Sequence, residues 1–584
     1  MKAMFKLFPL AVLLTVGCAT QPTMQNQGGG VDASVNKGGA EGSEKAVANA
    51  ANLPNIPLTG ELLNDLILAD VAAQRGHFNV SVGLYLQLAN YTQDPRLAER
   101  ATRMANYADM QKEALEAANL WVGVDPENIA ARQLLTALLV KGGESGSAVD
   151  HLERIIDSET APGDGFMAVA SLLSRERDKD VALSLMNQLV AKRDNEPNAY
   201  LALSHLALRL GEHGEALAAL ERALELKPGW QAATVQRARV LVGQGEASQA
   251  ADYLMGLIKK QPDVSAYRLF YARLLMEQER LPEAYEQFKA ASKLQPSNED
   301  ALFALGFIGL QLNHLDDAEV YLLKLKKIGN RGYEVNYYLG RLEELRDNPQ
   351  AARQWYGSIA QGEHFMNAQI RIVVLTAQDG DLAGARALVQ KLKSQRPAQK
   401  LRMDLVEGEV LVGEGEYEEA MKVYNKALLD APENTDLLYA RSMVADKLGD
   451  LETLEHDLRK ILARDPNNAE ALNALGYSLA DTTTRYDEAL VLISRALELR
   501  PNDFYILDSM GWVKYKLGEH DQAIKYLRRA LDVKMDAEIA AHLGEVLWVS
   551  GDKAGAKAVW REALELGALR ETDVITEVMR RLDQ

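Results

Sequence analysis

The chain has 584 residues, with 65 lysines and arginines against 83 aspartates and glutamates, for a formal net charge of −18. That acidic balance argues against nucleic acid as a partner, because phosphate binding needs a basic footprint. Hydrophobic residues make up 47% of the chain, yet beyond the first sixteen residues no apolar run reaches the roughly 20 that would span a bilayer, so the body is expected to stand in water.

The chain opens Met1-Lys2-Ala3-Met4-Phe5-Lys6, continues as the apolar run Leu7 to Val16, and exits through Gly17. A basic start, a short apolar run and a small-residue exit predict an export signal over residues 1–17. Cys18 follows at once and is the only cysteine, which excludes an internal disulfide and a thiolate metal cluster. A thiol at the cleavage point can carry a diacylglycerol through a thioether. Thr15-Val16-Gly17-Cys18 resembles the bacterial lipobox, with Thr15 standing where leucine is usual. Ala19-Thr20 places no aspartate beside the cysteine, and the resemblance then implies sorting to the outer membrane, facing the periplasm. Residues 18–57 are rich in Gly, Asn, Ala and Ser and have little to bury, which predicts a lipidated, disordered tether with a reach of roughly 35 Å.

From there the chain repeats. Val80, Ala114, Ala148, Ala182, Ala216, Ala250, Ala284, Ala318, Ala352, Ala385, Ala420, Leu454, Ala489, Ala523 and Ala556 follow one another at steps of 33 to 35, and thirteen of these fifteen are alanine. Pro228, Pro262 and Pro296, and again Pro432, Pro466 and Pro501, keep the same period. Within a unit, Gly408, Gly415, Tyr417, Ala420, Tyr424, Ala427 and Pro432 set an apolar stripe at i, i+4 and i+7 from the alanine. Gly415 or Gly518 would break the chain between two helices, proline would end the second, and Asn434, Asn468 or Asp503 would cap the next. The small residues would sit where helices approach closest.

This pattern resembles the tetratricopeptide repeat over roughly residues 61–567, about fifteen helix pairs. The resemblance implies an all-α, helix-turn-helix solenoid coiled into a right-handed superhelix. Markers are sparser before Ala182 and around residues 360–400, so the expected division is irregular repeats over 58–180, regular repeats over 181–567 and a capping helix within 568–584, from about Glu571 to Leu582.

No nucleophile elbow, phosphate loop or metal-binding histidine spacing is present, so neither catalysis, a metal nor a cofactor is expected. His77, His213 and His520 lie three residues before the ladder position, where Tyr417 and Tyr486 stand in other units. Histidine exchanging with tyrosine reads as turn packing.

In the tetratricopeptide family the first helix of each pair lines a concave groove. One column there reads His205, Arg239, Arg273, Phe307, Arg341, Leu375, Glu409, Met443, Tyr477, Trp512 and Glu545, with Phe303, Tyr337, Tyr439, Tyr505, Tyr515 and Trp548 at neighbouring positions. Arginine and aromatic residues carry much of the energy at interfaces. Arg239, Arg273, Phe303, Phe307, Tyr337, Arg341, Tyr439, Tyr477, Tyr505, Trp512, Tyr515 and Trp548 are therefore the candidate partner-binding residues. The competing account makes the arginines internal ion pairs and the aromatics packing between repeats. A lipobox, a leash and a long repeat array together resemble the LbcA-type lipoprotein adaptors. That resemblance implies a periplasmic carboxyl-terminal processing serine protease as partner and peptidoglycan hydrolases as the proteins delivered to it. A scaffold for exopolysaccharide export is the alternative. Contact with the membrane would be through the N-terminal lipid alone.

Overall fold

The computed structural model describes residues 53–54, 56–158, 163–565 and 573–582. The expected signal, Cys18 and most of the tether lie outside the described residues. Those that are described hold thirty-one α-helices and no strand. Thirty of the helices form hairpins, from Gly60–Gln74 with Phe78–Thr92 to Ala537–Val549 with Lys553–Glu565, and Asp573–Leu582 follows the last. The hairpins group into two compact units, one ending at Asn330 and one beginning at Arg331.

The local signals act as the sequence predicts. Asn434 and Asn468 accept hydrogen bonds from the Leu437 and Ala471 amides at 2.9 and 3.0 Å, and Asp503 accepts from Tyr505 and Ile506 at 3.0 and 3.3 Å. Each satisfies amides that a helix start leaves open, at about 1 kcal/mol per cap. Inside the hairpin one turn residue takes the left-handed conformation, as at Gly415 (φ 82°) and Gly518 (φ 81°). Asp109, Glu279, Asn313 and Asp347 hold that same turn position without glycine's freedom, at φ 53–59°.

That residue stands five before the ladder position, which corrects the ladder at its start. Gly76 (φ 77°) is the left-handed turn of the first hairpin, so the ladder position is Ser81, not Val80. Ser81 is fully buried, whereas Val80 is 45% exposed. A small side chain is what the place demands, and serine meets that demand where valine would not. The same shift moves His77 out of register. It is the N-cap residue of Phe78–Thr92, while His213, Tyr417, Tyr486 and His520 are each the first residue of their helices.

Packing within a hairpin follows a size match. Four residues after the ladder alanine stands a large buried side chain, among them Leu322, Tyr356, Tyr424, Ile493, Leu527 and Trp560. Opposite them on the first helix stand Gly306, Gly340, Gly408, Gly476, Gly511 and Gly544, where an added Cβ would come within 1.9–2.6 Å of those same side chains. Burying each large residue is worth roughly 1.5–3 kcal/mol, and the glycine is the condition for its fit.

The repeats depart from regularity at Pro349–Gly357, a second helix cut to 9 residues, and at Pro397–Gln399, a 3₁₀ turn before Lys400–Gly413. At the C-terminal end Asp573–Leu582 sets Ile575 and Val578 against Leu547 and Trp560. Among the described residues no helix is long and apolar enough to cross a membrane.

Candidate functional site

Every candidate groove residue lies on the first helix of its hairpin. In the N-terminal unit, Arg239 is exposed, lies 5.6 Å from the Phe270 ring centroid and donates a long hydrogen bond to Gln236 Oε1 at 3.4 Å. Desolvation by the protein around it and the nearby Arg273 charge lower its pKa. Arg273 instead forms an ion pair with Asp300 on the next first helix, at 2.8 Å. The internal-pair account thus holds for Arg273, and no carboxylate forms an ion pair with Arg239 among the described residues. Phe303 and Phe307 stack at 6.4 Å with their planes 14° apart. His205 is held neutral, its pKa brought down to about 4 by burial and by Arg239.

In the C-terminal unit, Arg341 is half-buried without an ion-pair partner among the described residues. The nearby Glu344 is taken by Arg371 and by the Tyr356 hydroxyl, the latter at 2.5 Å. Tyr337 is buried and stacks on His364 at 4.6 Å. Glu409 has its pKa pushed up to about 8 by burial and by Asp436, so this groove position carries a proton at neutral pH. Tyr439 is half-buried, and burial pushes its hydroxyl pKa up. Tyr505 packs on Phe504 at 4.1 Å.

Tyr477 and Trp512 are each only 6% exposed, so they serve the inside of the array more than its surface. Trp512 donates from Nε1 to Asp481 at 3.1 Å and stacks at 4.2 Å on His542, a residue the sequence reading did not single out. His542 Nδ1 contacts both Asp508 oxygens, at 2.9 and 3.1 Å. Burial opposes the charge on His542, but Asp508, Glu538 and Glu545 outweigh it and hold the pKa up to about 9. Glu538, buried beside the pair, is pushed up to about 7. One signal could have found this cluster. Ala537–Val549 is buried almost throughout, so His542, Glu538 and Glu545 within it must find internal partners.

Tyr515 donates to Glu545 at 3.4 Å, and Arg581 of Asp573–Leu582 also bonds that carboxylate. Trp548 is half-buried, with Lys553 Nζ 4.7 Å and Lys557 Nζ 5.6 Å from its ring centroid. Among the described residues no group of three His, Cys, Asp or Glu side chains could hold a metal ion. What the first helices offer is recognition chemistry: an arginine on an aromatic ring, a stacked phenylalanine pair and cation-flanked indoles.

Known proteins are similar to this chain. The family description Tetratricopeptide repeat matches residues 168–229, 207–274, 273–331, 455–504 and 509–570. The TPR repeat-containing protein PA4667 of Pseudomonas aeruginosa is 35% identical over 490 residues, covering 83% of this chain and 82% of that one. The human protein O-mannosyl-transferase TMTC1 is 25% identical over 182 residues, 30% of this chain and 20% of its own. Among solved structures, Pseudomonas aeruginosa pilF is 25% identical with a TM-score of 0.29, covering 35% of this chain and 94% of that one. A thermophilic TPR protein of Thermus thermophilus is 24% identical with a TM-score of 0.29, covering 32% of this chain and 100% of that one.

Proposed function

Because this chain belongs to the tetratricopeptide-repeat family, we propose that it is a non-catalytic scaffold lipoprotein, anchored through Cys18 to the outer membrane and facing the periplasm, that binds a carboxyl-terminal processing serine protease and promotes proteolysis of peptidoglycan hydrolases. The observation that supports a binding role is Arg239. It is a groove arginine poised on an aromatic ring without an internal carboxylate, in a chain with excess acid. The lipobox-like start and the LbcA-like layout support the envelope setting. A pull-down from solubilised envelopes should recover a serine protease with peptidoglycan hydrolases, and the purified chain alone should leave peptides and peptidoglycan intact. Recovery of a polysaccharide synthase and a porin would favour the export scaffold, and hydrolysis by the rigorously purified chain would refute the scaffold reading.

Two variants sharpen this. The combined change Arg239→Ala, Arg273→Ala and Arg341→Ala should leave melting nearly unchanged, since the one ion pair it removes is 33% and 44% exposed on its two sides and such pairs contribute about 0–1 kcal/mol. Partner affinity should fall by ~2–4 kcal/mol. Native melting with full affinity would place the partner elsewhere. Cys18→Ser should lose labelled palmitate and accumulate as unprocessed or released protein; continued labelling would remove Cys18 as the anchor.

A further inference from the structure

Away from the groove residues, the third hairpin of the N-terminal unit gathers two arginines that form no ion pair, with Glu127 and Asp150 as the carboxylates whose charge reaches Arg132 and His151. Arg132, on Ile129–Lys141, is only 4% exposed. Its guanidinium donates to the Pro126 carbonyl and lies 3.4 Å from His151 Nδ1, both neutral acceptors. Arg154 stands one turn beyond His151 on Ser145–Asp157. Neither arginine forms an ion pair among the described residues, and Asp150, on the rim, forms none with either. In the same unit Arg96, Arg103, Arg193, Arg222 and Arg273 all have a carboxylate within 4.0 Å. A buried cation without an anion is costly, and such a charge is ordinarily paired.

These side chains line a cavity of about 460 Å³ that lies broadly open to solvent, with the Ser147 hydroxyl also on its wall. That volume falls in the range of small-ligand sites. Burial first, then Arg132 and Arg154, push the His151 pKa down against Asp150, so the ring is neutral. With Nδ1 facing Arg132 as acceptor, Nε2–H is left to donate.

We propose that this cavity is an oxyanion site that takes one carboxylate or phosphate group on a ligand up to about dipeptide size. The two guanidiniums supply planar, charge-assisted donors, and Ser147 and His151 supply neutral ones. The anion provides the ion-pair partner that Glu127, acting on Arg132 only at a distance, does not. This site does not depend on the groove reading, and either can fail alone.

Calorimetric titration of the full chain in detergent tests it, with N-acetylglycine in one arm and inorganic phosphate in the other. At least one probe should bind saturably at a single site. Arg154→Gln, an exposed change, should weaken that binding by about tenfold or more without shifting the melting temperature. Arg132→Gln should abolish binding; should that variant fail to fold, Arg154→Gln decides. Binding of N-acetylglycine alone supports the site and assigns it to a peptide carboxylate, and binding of phosphate alone supports it and assigns it to a phosphorylated ligand. Failure of both probes at about 10 mM, or binding that Arg154→Gln leaves unchanged, overturns the proposal.

Discussion

Gly544→Ala is expected to destabilise the C-terminal end of the array by about 3 kcal/mol, at the upper end of ordinary overpacking costs. The added Cβ would lie 1.9 Å from Trp560 Nε1 and 2.2 Å from its Cε2. Trp560 is 1% exposed and packs among Leu547, Ile575 and Val578, so its rigid indole has nowhere to withdraw without disturbing Asp573–Leu582. Because repeat hairpins contact only their neighbours, the damage should be local. Amide exchange should accelerate from Ala537 onward and stay unchanged in the N-terminal unit. Gly256→Ala is the control: that exposed helical glycine has nothing within 4 Å of an added Cβ. There the helix should gain about 0.5–1 kcal/mol. Equal effects at the two positions would show that the size match does not govern hairpin packing.

The stability of the C-terminal unit should fall between about pH 6.5 and pH 9. His542 has a folded pKa of about 9 against the ordinary 6.5. A raised histidine contributes its full stabilisation below the unfolded value and loses it as pH climbs through the folded one. Glu538, at about 7, and Glu409, at about 8, act in the same direction, because folding favours their protonated forms. Carboxylates of this unit held low by partners, such as Asp430 and Asp450, titrate well below this window. The His542 share is of order 2–3 kcal/mol. Asp508→Asn should cost ~3–5 kcal/mol at neutral pH by leaving His542 buried without its counter-charge, and should remove that share of the slope. A melting temperature that is flat from pH 6.5 to 9 in the unaltered chain would contradict the pairing.

The repeat was legible because one physical demand, a small residue at the closest helix approach, recurs in every hairpin but that of Leu454 and leaves a periodic trace. The trace failed at Val80 because the first two ladder positions, Ser81 and Ala114, lie 33 apart, and because serine meets the same demand without looking like alanine. That every candidate residue falls on the first helix of its hairpin was legible too. How deep each side chain sits was not, because Tyr477 and Trp512 share a column with Arg239 and yet are closed over by neighbouring repeats. The His542–Asp508 pair and the Arg132 cavity are single events, with no periodicity to announce them. Their trace is only a charge placed inside an otherwise apolar helix.

The glycine and its large counterpart always belong to the same hairpin: Gly340 with Tyr356, Gly408 with Tyr424, Gly544 with Trp560. The unit that can be exchanged by recombination is therefore the whole hairpin, cut in the turn that leads from one hairpin to the next. A crossover there carries lock and key together. A crossover inside the hairpin separates them. Joining Thr435–Leu448, with Ser442 at the glycine position, to Lys553–Glu565 would set a serine side chain where the Trp560 indole must lie. Lineages of such arrays should therefore gain, lose and shuffle hairpins freely at one set of turns and almost never at the other.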